Sequence, residues 1–375
     1  MTPRQRFLAT LDFQPVDRLP LMDFSYWDET IDAWREQGLP GNVITPRQVE
    51  DYFSLDRGYE YNVFHPDVNP RIFTQFYPPF ERKVLKDEGD KVLVRDEEGV
   101  ILREMKRMRS IPQYIRFPVE TMEDYEALRW RLDGTAPKRY PDDWDQQVKQ
   151  ILTSGEPIGI GMAGFFQWPR ELMGLENLAL AYYDQPELVE IINRDRVQLI
   201  KDFCIRALQD LPVDYAVISE DMAYKSGCFI SPRTFHRFIA PYYEAVVDFL
   251  RRHGVRKILV DSDGDVRELV ALFIEVGVDG IFPCERRAGS DPVELRRRYP
   301  GLALLGGVDK MALIAGPEAI DQELAHLAPV IAEGGYIPGV DHGVPPDVPL
   351  AHYRYFCERR REIVTNAPAV PVAQQ

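Results

Sequence analysis

The sequence predicts an α/β protein, a (β/α)8 TIM barrel with N-terminal helical and β-hairpin additions, on three observations. From Pro157 onward, short buried-strand runs alternate with helix-length amphipathic segments: PIGIGM, DYAVISED, KILVDSD, GIFPCE, LALLGGVD and GGYIPGVDH. That alternation is the pattern of parallel strands joined by crossover helices. Together with RLPLMDF and a segment near Tyr61 to Phe64, the runs number about eight, the count that closes a barrel. An open doubly wound sheet is the rival, but it calls for a Gly-rich phosphate turn, and neither GxGxxG nor GxxxxGK[ST] occurs.

The first element is a helix, with Thr2 as N-cap, Pro3 at the first helical position and Phe7, Leu8 and Leu11 on one face. RLPLMDF follows as a strand. In KVLVRDEEGVILREM, Lys91 to Met105, two alternating runs flank DEEG, so this segment reads as a hairpin appended to the barrel. Pro186 to Leu208 carries helical periodicity, and Ser231-Pro232 opens another helix by cap and proline. A single barrel domain over 1–365 and a loose tail over 366–375, NAPAVPVAQQ, complete the chain.

A 375-residue chain with 45% hydrophobic residues supplies a substantial core. Its 60 acidic against 45 basic residues give a formal charge of −15, which repels phosphate backbones and anionic lipid alike, so neither nucleic acid nor membrane is an expected partner. The N-terminus lacks the apolar run of a secretory signal, and no stretch approaches the roughly 20 apolar residues of a spanning helix. Cys204, Cys228, Cys284 and Cys357 form no Cys-x-x-Cys pair, which disfavours disulfides and a zinc ribbon. A cytoplasmic protein with reduced thiols is expected.

In a barrel the C-terminal strand ends converge on the site, and here they read Glu220-Asp221, Asp261-Ser262-Asp263, Cys284-Glu285, Asp309-Lys310 and Asp341-His342. Asp265, with Glu268 three residues on, reads as a capping box. Asp261 and Asp263 precede that cap and alternate along an extended segment, which directs both carboxylates to one side. Crowded carboxylates raise one another's pKa unless a cation, a metal or a proton-accepting task offsets the repulsion. His342 lies in a Gly- and Pro-rich loop at a strand end, placed to serve as acid, base or metal ligand. Asp261, Asp263, His342 and Glu220 are therefore the catalytic candidates, and Asp261 and Asp263 are also the metal candidates. Asp221, Glu285 and Asp341 are candidates for substrate binding, with Arg170 as a cation and Tyr26, Phe166 and Trp168 as an apolar wall. Cys284 after GIFP reads as a buried small hydrophobe.

Taken in order, TPRQRFLATLDFQPVDRLP, EDMAYKSGCFISPRTFHRFIAPYYEAV, GVDGIFPCE, LLGGVDKMALIAGP and GGYIPGVDHGVPPDVPLAHYRYF resemble the uroporphyrinogen decarboxylase superfamily, which includes decarboxylases and cobalamin-linked methyltransferases. The resemblance implies a (β/α)8 barrel with a deep cleft. True decarboxylases carry an Arg-Gln-Ala-Gly-Arg segment for a substrate with eight carboxylates; here MDFSYWDETIDAWREQGLP offers Arg35 among acidic residues. The second decarboxylase motif, Gly-Pro-Phe-Thr-like, is replaced by GMAGFFQWPREL. The methyltransferase branch's zinc motif, His-x-Cys-Gly, falls on Asp261-Ser262-Asp263-Gly264, and its Pro-Gly-Cys falls on Pro338-Gly339-Val340. Soft thiolate ligation is thus lost at both places, so a zinc-thiolate site is not expected.

The resemblance implies an enzyme, and the missing arginines with the acidic cluster in the zinc-motif position favour one of the methyltransferase type, acting with a corrinoid or on a small aromatic or tetrapyrrole-like molecule. A corrinoid or a divalent metal is the candidate cofactor, and a corrinoid protein and a second copy of the chain are the candidate partners. Two alternatives stand beside it: uroporphyrinogen decarboxylation, and a non-catalytic corrinoid- or tetrapyrrole-binding protein.

Overall fold

The structure is a computed structural model that describes residues 1–56, 71–106 and 112–366. The strand expected near Tyr61 to Phe64 lies outside them, as does the expected tail from residue 367; the last helix, Leu350–Asn366, runs to the tail's first residue.

The first helix forms as its sequence dictates. In α1 (Pro3–Leu11), the Thr2 hydroxyl accepts from Gln5 N at 3.2 Å and the Gln5 side chain accepts from Thr2 N at 3.0 Å, a complete capping box. Thr2→Ala is expected to lower folding stability by about 1 kcal/mol, measured by urea titration.

Four strands, β1 (Lys83–Asp87), β2 (Lys91–Arg95), β3 (Ile101–Met105) and β4 (Gln113–Arg116), form an antiparallel sheet in that order. The expected hairpin is its centre, β2 paired with β3. The outer strands β1 and β4 are exposed along their whole length.

The main sheet is parallel and contains β5 (Gly159–Ala163) and β6 (Tyr215–Ser219). A two-stranded ribbon, β7 (Ala223–Tyr224) and β8 (Gly227–Cys228), stands apart from it. The main sheet then continues through β9 (Lys257–Asp261), β10 (Gly280–Phe282), β11 (Ala303–Val308) and β12 (Tyr336–Val340). Its spatial order equals its sequence order, β5-β6-β9-β10-β11-β12. A doubly wound sheet reverses direction at a switch point; this one is singly wound, as a barrel is.

Along each strand, side chains alternate between two cores. Ala216, Ile218, Ile258, Val260 and Leu304 join the large cluster shared with the helices. Tyr215, Val217, Leu259, Ala303, Leu305 and Ile337 join a second cluster with Phe7, Leu8 and Leu11 of α1. α1 therefore closes the N-terminal end of the strands from inside. Arg4 N donates to Gly155 O ahead of β5, Asp12 pairs with Lys257 of β9 at 2.7 Å, and Phe13 lies against Gly335 ahead of β12. Gly335 (φ 64°) has no room for a side chain, since a Cβ would sit 2.1 Å from the Phe13 ring. From Arg4 to Phe13 the helical rise is roughly 14 Å, whereas the edges of a flat six-stranded sheet stand roughly 24 Å apart. The sheet therefore curves around α1.

The predicted eight-stranded closure is corrected at its first strand. Leu19 to Tyr26 runs beside β12 but forms no strand; its backbone makes a single parallel bridge, Tyr26 to Val344. Pro20 has no N–H to give to a ladder, and the side chain of Asp23 takes over by accepting from Val340 N at 3.0 Å. Six hydrogen-bonded parallel strands are present among the described residues, and no closed barrel.

Candidate active site at the strand ends

The ionisable side chains anticipated at the strand ends meet there. β9 ends at Asp261, and the chain turns through Ser262 and Asp263 into Gly264, whose N–H donates to Glu285 Oε2 at 2.8 Å. β12 ends at Val340, so that Asp341 and His342 emerge beside the end of β11. His342 Nε2 lies 3.5 Å from Asp263 Oδ2. Donor atoms of Asp263, Glu285 and His342 fall within 4.8 Å of one another, and so do those of Asp221, Asp261 and Asp263. Asp263 belongs to both groups, and its Oδ1 is buried without a hydrogen-bond partner among the described residues.

Two effects compete at His342. Burial disfavours its charge, but the hydrogen bond and the charge of Asp263 outweigh burial, and the imidazole pKa is raised above its ordinary 6.5. Phe24 packs on the ring, with centroids 5.4 Å apart. Lys310, which directly follows β11 and Asp309, sets its ammonium 3.3 Å from Asp341 Oδ1 and 3.5 Å from Glu285 Oε1. Asp341 is fully buried and also accepts the N–H groups of Lys310 and Arg286 at 3.1 and 3.2 Å. Burial pushes its carboxyl up while Lys310 pulls it back. Lys310 figures in the sequence only as half of the strand end Asp309-Lys310, and Phe24 only within the RLPLMDF strand, so neither is among the candidate site residues. Asp309 is in fact an N-cap, accepting from Met311 N.

The remaining candidates are turned elsewhere. Glu220 is buried, and its carboxylate accepts the N–H groups of Phe165, Phe166 and Gln167 at 2.8–3.1 Å. Gly164 leaves room for it, since a Cβ there would stand 2.0 Å from Glu220 Oε1. Glu220 therefore holds the loop that opens the helix Gln167–Met173, with three backbone N–H groups on a fully buried carboxylate. Arg170 donates to the carbonyl and carboxylate of Asp221, at 2.9 and 3.2 Å, and so is engaged within the protein. Phe166 is buried and stacks on the half-exposed Phe229 at 6.1 Å, which keeps it at this end of the sheet. Trp168 and Tyr26 do not form an apolar wall here. Trp168 packs between Phe76 and Arg196, and the Tyr26 hydroxyl bonds that of Tyr353 in the core. Asp265 is structural, but by accepting from Arg267 N and pairing with its guanidinium, not by a capping box with Glu268.

The donor chemistry decides which metal fits. Cys284 is the cysteine at a strand end, but it is buried, its Sγ faces Ile281 O, and burial pushes the thiol up to about 12. No cysteine belongs to a ligand group among the described residues, so a zinc-thiolate site does not fit. The two oxygen-rich groups fit a hard divalent cation.

A singly wound parallel α/β sheet of six strands with ionisable side chains gathered at the strand C-termini defines the class: an α/β protein with a strand-end site. Within that class the family follows from comparison with known proteins. A model of the family described as uroporphyrinogen decarboxylase (URO-D) matches residues 110–363, and the chain belongs to that family. The uroporphyrinogen decarboxylase of Anaeromyxobacter sp. (strain Fw109-5) is 30% identical over 250 residues, covering 62% of this chain and 66% of that protein. That of Synechococcus sp. (strain JA-2-3B'a(2-13)) is 30% identical over 134 residues, 36% of this chain and 38% of the relative, so the match spans well under half of the relative's length. A crystal structure of the putative vitamin-B12 independent methionine synthase from Listeria monocytogenes is similar at a TM-score of 0.38 and 12% identity, over 93% of this chain and 96% of that one. No described helix is long and apolar enough to cross a membrane.

Proposed function

We propose that the chain is an enzyme of the methyltransferase type within this family, acting on a small aromatic or tetrapyrrole-like molecule. The observation that carries the proposal is the Asp263–His342 pair set among carboxylates. An imidazole made more basic by its aspartate is suited to take the proton that leaves a substrate heteroatom as that atom accepts a methyl group. Asp261 then serves as base or ligand, while Lys310, braced by Glu285 and Asp341, presents the cationic head at this face. Phe24, packed on His342, excludes water from one side of the imidazole.

A corrinoid, on a partner protein, is the methyl carrier in this proposal; it would supply a cobalt-borne methyl group. If a divalent cation is held, Asp263 with Glu285 and His342, or with Asp221 and Asp261, would hold it, and it would supply Lewis acidity. Protein purified without chelator is then expected to carry a stoichiometric oxygen-preferring metal, reduced in Asp263→Asn, the residue common to both groups. Elemental analysis checks this; no metal in the wild-type protein and no gain in activity on adding Mn²⁺ or Mg²⁺ would remove the cation from the proposal.

A second reading, decarboxylation of uroporphyrinogen, is favoured by the names of the relatives. Against it stands electrostatics. Among the described residues, three arginines at this face are engaged by the protein's own carboxylates, Arg170 by Asp221, Arg286 by Glu323 and Asp291, and Arg287 by Asp309. An octa-anion would meet further carboxylates. Purified protein is expected to leave uroporphyrinogen III unconverted under anaerobic conditions; robust formation of coproporphyrinogen would decide for the second reading.

A further inference from the structure

Between the antiparallel sheet and the helix Gln167–Met173 lies a separate cavity of about 100 Å³, whose lining includes Phe73, Phe76, Trp168, Glu98 and Glu171. That is room for a ligand of a few heavy atoms or for a few waters. Its walls are held in place. Arg139 donates to the carbonyls of Phe73 and Gln75, and Arg196 to that of Thr74, so two buried guanidiniums pin the segment that carries the rings. The hairpin turn is pinned too, with Asp96 accepting from Glu98 N and Val100 N, and Phe80 N donating to Glu97 O.

Two buried polar atoms of its lining residues lack partners among the described residues. Trp168 is 2% exposed and its indole N–H is unpaired; Glu171 Oε2 is buried without a close partner, although Oε1 accepts from Gln167 and the Gln75 side chain also bonds the carboxylate. An orphan donor and an orphan acceptor each cost about 1–3 kcal/mol when nothing meets them, which marks the cavity as a place built to be occupied. Burial, then the charges of Glu171, Asp96 and Glu97, push the Glu98 carboxyl up to about 7. The nearby cations, Arg196 and Arg170, reach Glu171 through space only.

We propose that this cavity binds a small amino alcohol, its ammonium meeting Glu171 and Glu98 beside the Phe73 and Phe76 rings and its hydroxyl oxygen accepting from Trp168 Nε1. Carboxylates with aromatic faces are the arrangement that recognises organic ammonium ions. An acceptor oxygen a few bonds away satisfies the indole. The site is distinct from the strand ends and does not depend on the reaction proposed there.

Calorimetric titration of the full chain at pH 8 with ethanolamine and with choline tests this. One saturable site is expected for at least one of them, weakened tenfold or more in Glu171→Gln and in Glu98→Gln and retained in Asp263→Asn; ethylamine is expected to bind more weakly and ethanol not at all. Glu98 sits in the hairpin turn and outside the main cores, so its variant decides even if Glu171→Gln fails to fold. No saturable heat with either amino alcohol, unchanged affinity in Glu98→Gln, or loss of binding in Asp263→Asn would overturn the proposal, the first leaving the cavity to water.

Discussion

Replacing Arg360 by methionine is expected to lower folding stability by about 3–5 kcal/mol, the cost of stranding one charge of a buried pair. Arg360 and Asp23 are both fully buried and meet at 2.7 Å. The guanidinium also donates to Met22 O and Pro338 O, while Asp23 collects Val340 N and the Tyr353 hydroxyl. Burial opposes the charge on Arg360, but Asp23 overrides it and holds the guanidinium more firmly protonated than usual. In the methionine variant the Asp23 carboxylate remains buried with two donors in place of four. Equilibrium denaturation reads the loss. The double variant Asp23→Asn with Arg360→Met is expected to recover part of it, and strict additivity of the two single losses would show that the pair does not act as a unit.

The second large effect concerns the proposed chemistry. Asp263→Asn is expected to lower the rate of methylcobalamin demethylation about 10²–10⁴-fold, the usual contribution of a positioned acid–base group, with the denaturation midpoint little changed because Asp263 is part-exposed. A readout independent of turnover accompanies it. With the carboxylate gone, burial and Lys310 are the lowering influences left on His342, opposed only by Glu285, so its titration by NMR is expected to shift down from its raised position. Protonation of His342 in the wild-type protein stabilises the fold at acid pH. That contribution is complete below the ordinary 6.5 and is lost as the pH rises through the raised value; in Asp263→Asn this pH dependence is expected to shrink or reverse. Full demethylation by Asp263→Asn would refute the catalytic assignment.

Much of this was written in periodicity. The six parallel strands, the capping box on α1 and the central hairpin all follow from patterns of apolar spacing and caps that the backbone obeys locally. What was not legible depends on long-range partners. Leu19 to Tyr26 has a strand's apolar content, yet its ladder is replaced by a carboxylate whose partner stands 337 residues away. Strands β1 and β4 carry no alternation because neither face is buried. At the strand ends, Asp261, Asp263, Glu285, Asp341 and His342 lie near one another, as their positions in the chain suggest. Strand-end position said nothing of side-chain direction in the loops beyond, and so Glu220 went to a helix start and Trp168 to another cavity. Lys310 stood at a strand end as well, beside an Asp309 that the structure shows to cap the next helix.

The placement of α1 bears on the order in which the molecule can assemble. Arg4 waits for Asp214, 210 residues downstream; Phe13 waits for Gly335; and the segment after α1 waits for Arg360. Residues 4 to 23 thus find their places only after partners at least 210 residues downstream have been synthesised. Contacts of this span make folding slow and leave the Phe7, Leu8 and Leu11 face uncovered meanwhile. Nascent chains stalled before residue 335 should therefore show this helix open to protease, with protection arriving only once the last strand and the helix behind it have emerged.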